Sequence, residues 1–147
     1  MLIGSYVHNL DPKGRVFIPA KWREDLGATV ILTLGLTGDG TGCLYGMSQP
    51  EWELFSARLA EIPLTDTAGQ ALRRRLYAIA AACETDKQGR ILLPQQLRTA
   101  AGLGQQMTLI GVGNRMEIWN PDELSRHMEE TNASYGSILS HLQERGI

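Results

Sequence analysis

A nine-residue stretch of this chain occurs twice. Asp11-Pro12-Lys13-Gly14-Arg15-Val16-Phe17-Ile18-Pro19 is answered 75 positions later by Asp86-Lys87-Gln88-Gly89-Arg90-Ile91-Leu92-Leu93-Pro94. Beyond it, Arg23 falls on Arg98, Gly27 on Gly102, and Trp22 on the similarly large and apolar Leu97. An apolar run follows each glycine, Thr29-Val30-Ile31-Leu32-Thr33-Leu34 in one copy and Met107-Thr108-Leu109-Ile110-Gly111-Val112 in the other. A second strand-like segment comes next, Cys43-Leu44-Tyr45 or Met116-Glu117-Ile118-Trp119, then a polar residue and a proline (Pro50, Pro121) opening helical sequence. Asp, Gly, Arg and Pro held in register through apolar-for-apolar replacements mark a tandem duplication. Few short strands cannot close a core alone, whereas two copies can bury each other. The duplication therefore predicts one intertwined body, a built-in pseudo-dimer.

Each copy reads as strand, turn, strand, short helix, strand, strand, helix. In the Asp-x-x-Gly-Arg turns, glycine supplies a positive φ and the aspartate accepts backbone N–H groups. Pro19 and Pro94 are expected at the first helical position, with Gly27 and Gly102 just past the helix ends. Trp22 and Leu26, like Leu97 and Ala101, lie four apart on one face. Trp52, Phe55, Leu59 and Ile62 predict a helix stopping at Pro63. After a connector over residues 63–69, Leu72, Leu76, Ile79, Ala80 and Cys83 predict a second helix with one apolar stripe. Leu124, Tyr135, Ile138, Leu139 and Leu142 predict a C-terminal helix weakened at Gly136.

Composition bears on function mainly by exclusion. The 147 residues are 43% hydrophobic and carry a net charge of −2, so bulk positive charge cannot drive nucleic-acid binding. The charge is uneven, however. Residues 1–23 hold Lys13, Arg15, Lys21 and Arg23 against Asp11 alone, residues 73–75 are all Arg, and beyond Arg98 three Arg face six acids. A polarised surface of this kind suits a phosphate backbone, and the guanidinium fork suits phosphate oxygens or guanine edges. Spacing alone equally allows Arg15 and Arg90 to pair with Asp11 and Asp86 inside their own turns.

The doubled Asp-x-x-Gly-Arg with its downstream proline resembles the MraZ family of bacterial transcriptional regulators, built from two SpoVT-AbrB-type domains. Asn9-Leu10-Asp11-Pro12-Lys13-Gly14-Arg15, Pro50-Glu51-Trp52-Glu53, the arginine-rich helix before the second motif and Glu117-Ile118-Trp119 carry the same resemblance. It implies an α+β, β-rich fold, a double swapped-hairpin AbrB-like barrel formed by two tandem repeats with peripheral helices. The repeats are expected over residues 5–53 and 80–124, with connecting helices over 54–79 and a helical tail over 125–147. It also implies a ring-shaped homo-oligomer that binds repeated promoter boxes in double-stranded DNA, upstream of the cell-division and cell-wall gene cluster that includes its own gene. By position the resemblance implies Lys13, Arg15 and Arg90 as DNA-contacting residues, Lys87 of the second turn is expected to join them, and Asp11, Gly14, Asp86 and Gly89 are expected to brace the turns. The copies differ at the tip: Gln88 stands opposite Lys13, and Lys87 opposite Pro12.

Other features read as structural. Arg73, Arg74 and Arg75 cannot share a helix face, and one or two of them are expected to pair with acids of the other half. Arg23 and Arg98 are expected to buttress the turns, and Trp22, Trp52 and Trp119 to lie in the core. Gly38-Asp39-Gly40-Thr41-Gly42 lacks the Gly-Lys-Ser/Thr ending of a phosphate loop and reads as a hairpin loop. Cys43 and Cys83 have neither metal-ligand nor disulfide spacing and read as buried thiols, and His8, His127 and His141 share no ligand spacing. No metal, cofactor, small-molecule substrate or membrane partner is expected, and no catalytic residue can be named. The N-terminus lacks signal-peptide features, so a cytoplasmic protein is expected, and association with the nucleoid is what the resemblance implies. The alternatives are an AbrB-like, antitoxin-type protein-interaction module and, last, an enzyme.

Overall fold

The computed structural model describes residues 1–37 and 42–147; the Gly38–Gly42 hairpin-loop reading falls almost wholly outside the described residues. The first repeat comprises β1 (Ser5–Asn9), β2 (Arg15–Phe17), a 3-10 turn (Ala20–Trp22) running into α1 (Arg23–Leu26), β3 (Thr29–Leu34), β4 (Cys43–Ser48) and α2 (Gln49–Ala60). After α3 (Thr67–Ile79) the order returns as β5 (Ala81–Glu84), β6 (Arg90–Leu92), α4 (Gln95–Ala100), β7 (Gln106–Gly111), β8 (Met116–Trp119) and α5 (Pro121–Ala133), with α6 (Tyr135–Glu144) at the end.

The strands interleave. A six-stranded antiparallel sheet runs β1-β7-β8-β4-β3-β5, and β2 pairs with β6 in a separate two-stranded ribbon. Exchanging each strand for its counterpart in the other repeat reads the sheet order backwards, so the fold has the pseudo-two-fold symmetry that the duplication predicts. The first hairpin of each copy is traded: β1 lies on β7 with Tyr6 opposite Leu109, and β5 lies on β3 with Cys83 opposite Val30. The edge strands β1 and β5 hand over to the ribbon through the two Asp-x-x-Gly-Arg turns, so a mixed α+β fold with swapped hairpins is observed. Its hydrogen bonds form two separate sheets, not one continuous barrel.

Inward residues of the sheet and ribbon share one core. Val16 and Ile91 of the ribbon, Val30 and Leu32 of β3, Leu109 of β7 and Ile118 of β8 are all at most 1% exposed. Trp22, Leu26, Leu97 and Ala101 cap this core from the short helices, as their spacing predicts. Trp22 also satisfies its indole N–H on the Ile3 carbonyl at 3.0 Å. Near the sheet's centre Glu117 is buried but fully occupied, accepting from the Arg115 guanidinium at 2.8 and 3.0 Å and from the Trp119 indole at 3.0 Å. Those bonds are what allow a carboxylate to sit there.

Several expectations need correction. Pro19 and Pro94 stand one residue before their helices, as N-caps in extended conformation. Helix α3 ends at Ile79, because Ala80 is extended and the chain enters β5; Cys83 is therefore a strand residue, and Leu72 is 41% exposed. The C-terminal segment is two helices that break at Ser134, ahead of Gly136, and Tyr135, Ile138 and Leu139 lie on the surface. Trp52 is only half-buried, packed edge-on to Tyr77 across the α2–α3 pair. Among the described residues no acid pairs with Arg73, Arg74 or Arg75; Arg73 instead lies over the Tyr77 ring at 5.9 Å.

Candidate nucleic-acid interface

The two Asp-x-x-Gly-Arg turns are near-identical in geometry. In the first, Asp11 Oδ1 accepts from the backbone N–H groups of Lys13 (2.9 Å) and Arg15 (2.8 Å), and Oδ2 accepts from Arg15 Nε (2.7 Å). In the second, Asp86 Oδ1 accepts from Gln88 and Arg90 N–H (2.9 Å each), and Oδ2 from Arg90 Nε (2.8 Å). Gly14 and Gly89 close the turns onto the Asp11 and Asp86 carbonyls with φ of +84° and +85°, a region other residues enter only with strain. The carboxylates are correspondingly easy to ionise. Burial pushes the Asp11 carboxyl upward, but its N–H donors and the Arg15 guanidinium outweigh that and hold it below the usual aspartate range. For Asp86 the Arg90 N–H is the leading cause of the same depression.

Each turn is propped by the other repeat. Ile18 N–H donates to Gly89 O (2.8 Å) and Leu93 N–H to Gly14 O (2.9 Å). Arg23 Nε donates to Ile18 O (3.0 Å) while its guanidinium lies across Gly89, and Arg98 Nε donates to Leu93 O (3.1 Å) beside Gly14. The buttress expected of these arginines is present, and it acts across the repeat boundary. The two turns are thus one rigid unit.

Both aspartate–arginine pairs form, as the local ion-pair reading allowed. Yet each aspartate engages the guanidinium through Nε, and among the described residues the terminal nitrogens of Arg15 and Arg90 donate no hydrogen bond; Arg90 Nη1 lies 3.8 Å from Asp11 Oδ2. The two side chains are 28% and 19% exposed, so they reach the surface. Pro12, Lys13, Lys87 and Gln88 are exposed at the tips, and Lys21 is exposed nearby. Segments 11–23 and 86–98 hold seven of the chain's 14 cations and two of its 16 carboxylates.

The ribbon register sets which side chains share this surface. Arg15 lies opposite Leu92, Val16 opposite Ile91 and Phe17 opposite Arg90. With Val16 and Ile91 turned into the core, the outward face carries Arg15, Phe17, Arg90 and Leu92. Phe17 and Leu92 escaped attention in the sequence because Val16-Phe17-Ile18 and Ile91-Leu92-Leu93 read as uniformly apolar runs. The signal that could have found them is strand alternation anchored on the arginine.

Among the described residues no group of His, Cys, Asp and Glu is placed to hold a metal ion, and no helix is long and apolar enough to cross a membrane. Comparison with known proteins places this geometry in a family. The family model described as "MraZ protein, putative antitoxin-like" matches residues 1–75 and again residues 76–145. A protein of Caldicellulosiruptor saccharolyticus named Transcriptional regulator MraZ is 44% identical over 147 residues, covering all of both chains. Proteins of the same name from Limosilactobacillus reuteri and Ligilactobacillus salivarius are 43% and 39% identical over 142 residues, covering 97% of this chain and 97% and 96% of theirs. With its duplicated turn, its traded hairpins and full-length identity of this order, the chain belongs to the MraZ family.

Proposed function

We propose that this chain is a sequence-specific, DNA-binding transcriptional regulator without catalytic chemistry. It acts on repeated promoter boxes as a ring-shaped homo-oligomer on the nucleoid, with the cell-division and cell-wall cluster and its own gene as targets. One observation carries the reading: two guanidiniums stand on the outward face of a ribbon that both repeats build, each anchored at Nε by an aspartate, while among the described residues their terminal nitrogens donate no hydrogen bond and only Arg90 Nη1 comes within ion-pair distance of a second carboxylate, Asp11 at 3.8 Å. Anchoring removes rotamer freedom before binding, which lowers the ordering cost of a contact. Guanine N7 and O6 take two parallel N–H donors, and a two-stranded ribbon fits the major groove. Arg15 and Arg90 lie on a diagonal of the ribbon, roughly 7–8 Å apart at the backbone by ordinary strand geometry, about two base-pair rises of 3.4 Å.

Lys13 and Lys87 at the tips supply phosphate contacts, and Asp11, Gly14, Asp86 and Gly89 hold the scaffold. The relatives' shared name, Transcriptional regulator, supports this reading over the antitoxin-type and enzyme alternatives. One pair of turns binds weakly, and a ring multiplies it through effective concentration on spaced boxes. The test is a salt-series binding titration on DNA from upstream of the protein's own gene. Arg15→Ala and Arg90→Ala are each expected to weaken binding by about 1–3 kcal/mol with the fold intact, and Lys13→Ala to reduce the salt slope by about 1. Parent-like affinity of both arginine variants at matched salt refutes the assignment.

A further inference from the structure

The ribbon's outward face holds two residues that the proposed function has not used. Phe17 is 41% and Leu92 57% exposed, they occupy equivalent positions of the two repeats, and each faces an arginine across the ribbon. The Arg90 guanidinium also rests over the Phe17 ring, 5.8 Å from its centre. The result is a two-by-two checker of guanidinium and hydrocarbon, with carboxylates behind it and lysines at its rim.

The occupant of this face can be argued from its size and charge. Protein interfaces that persist bury on the order of 800 Å² per partner, far more than two side chains supply. The surrounding seven-to-two excess of cations selects a polyanion. Among the groups a major groove displays, the C5-methyl of thymine is the apolar one. Facing side chains on a ribbon stand roughly 4.5–5.5 Å apart at Cβ, so an apolar residue opposite an arginine reaches the base pair next to the one that arginine reads.

We propose that Phe17 and Leu92 are specificity-determining residues that pack on thymine methyl groups, each beside a guanine taken by Arg15 or Arg90. This deepens the function proposed above and rests on the ribbon entering the major groove. It predicts that part of the discrimination comes from methyl groups and is independent of salt, since no ion is released when hydrocarbon meets hydrocarbon.

The experiment uses the full chain and two versions of the duplex from upstream of its own gene, one normal and one with deoxyuridine for every thymidine. Each contacted methyl lost is expected to weaken binding roughly three- to fivefold, with an unchanged salt slope. Leu92→Ser and Phe17→Ser, exposed positions whose replacement leaves the core untouched, are expected to bind the two duplexes with a smaller ratio than the parent does. If the parent binds both duplexes equally and still prefers them over a scrambled duplex, the methyl contact is wrong while the DNA-binding function stands. If neither duplex is preferred over the scrambled one, both fall. If Leu92→Ser lowers the oligomer mass in sedimentation and leaves the duplex ratio unchanged, the face joins copies of this chain, and the methyl contact is again overturned.

Discussion

Replacing either turn glycine with alanine separates local strain from support across the repeats. Gly14 and Gly89 have nearly the same φ, so a Cβ imposes a similar backbone penalty at each, about 1–2 kcal/mol. Their surroundings differ. A Cβ on Gly14 meets Arg98 Nη2 at 3.5 Å, an ordinary contact, whereas one on Gly89 falls 2.2 Å from Arg23 Cζ. The Arg23 guanidinium must then leave, and its 3.0 Å hydrogen bond to the Ile18 carbonyl goes with it. A charged donor on half-buried Arg23 bonded to the carbonyl of buried Ile18 is worth about 1–2 kcal/mol here. Gly14→Ala should therefore cost about 1–2 kcal/mol and Gly89→Ala about 2–4, or a further few degrees in Tm for a chain of this size. Urea unfolding followed by circular dichroism measures both. The decisive arm is Gly89→Ala made in an Arg23→Ala background, where nothing remains to be displaced and the cost should fall to that of Gly14→Ala. Equal costs at the two glycines, or an undiminished cost of Gly89→Ala without Arg23, would refute the claim that each repeat props the other's turn.

Two further outcomes follow from the titration of buried and bonded groups. Asp11 and Asp86 have depressed carboxyl pKa values in the folded chain, so the unfolded chain binds more protons in acid. Stability should be complete above the ordinary aspartate pKa and decline as pH falls through the folded values; the pair Asp11→Asn and Asp86→Asn should flatten that acid limb in a pH series of thermal unfolding. Burial pushes the Cys43 thiol up to about 12, helped by the Glu117 charge, and the Cys83 thiol up to about 11. Neither should react with iodoacetamide at pH 8 in the folded chain and both should in urea, as counted by intact-mass spectrometry.

What could be read before the structure divides by the range of the forces involved. The turns were legible because their chemistry is confined to five residues: an aspartate that accepts N–H groups two and four positions on, and a glycine with positive φ. The faces of the short helices were legible because Trp22 and Leu26, or Leu97 and Ala101, need only a four-residue period. Reading failed where the periods compete. Alanine-rich 78–82 continues a helical stripe on paper, and pairing of Ala81 and Ala82 with Leu32 and Ile31 pulls it into a strand. It failed too for the arginine triplet, which pairs with no acid among the described residues because pairing depends on where α3 packs.

The sequence by itself determined that two equivalent halves exist, that each holds an aspartate-braced arginine turn, and that the halves must bury each other. Those conclusions need only residue identity and spacing. The tertiary structure alone decided which strands the traded hairpins expected from the resemblance lie against, that Arg23 and Arg98 support the opposite turn, and that Phe17 and Leu92 stand outward among the arginines. These depend on which distant strand supplies each hydrogen-bond partner. A strand's own residues state which side chains alternate, and only its neighbour determines which side becomes the interior.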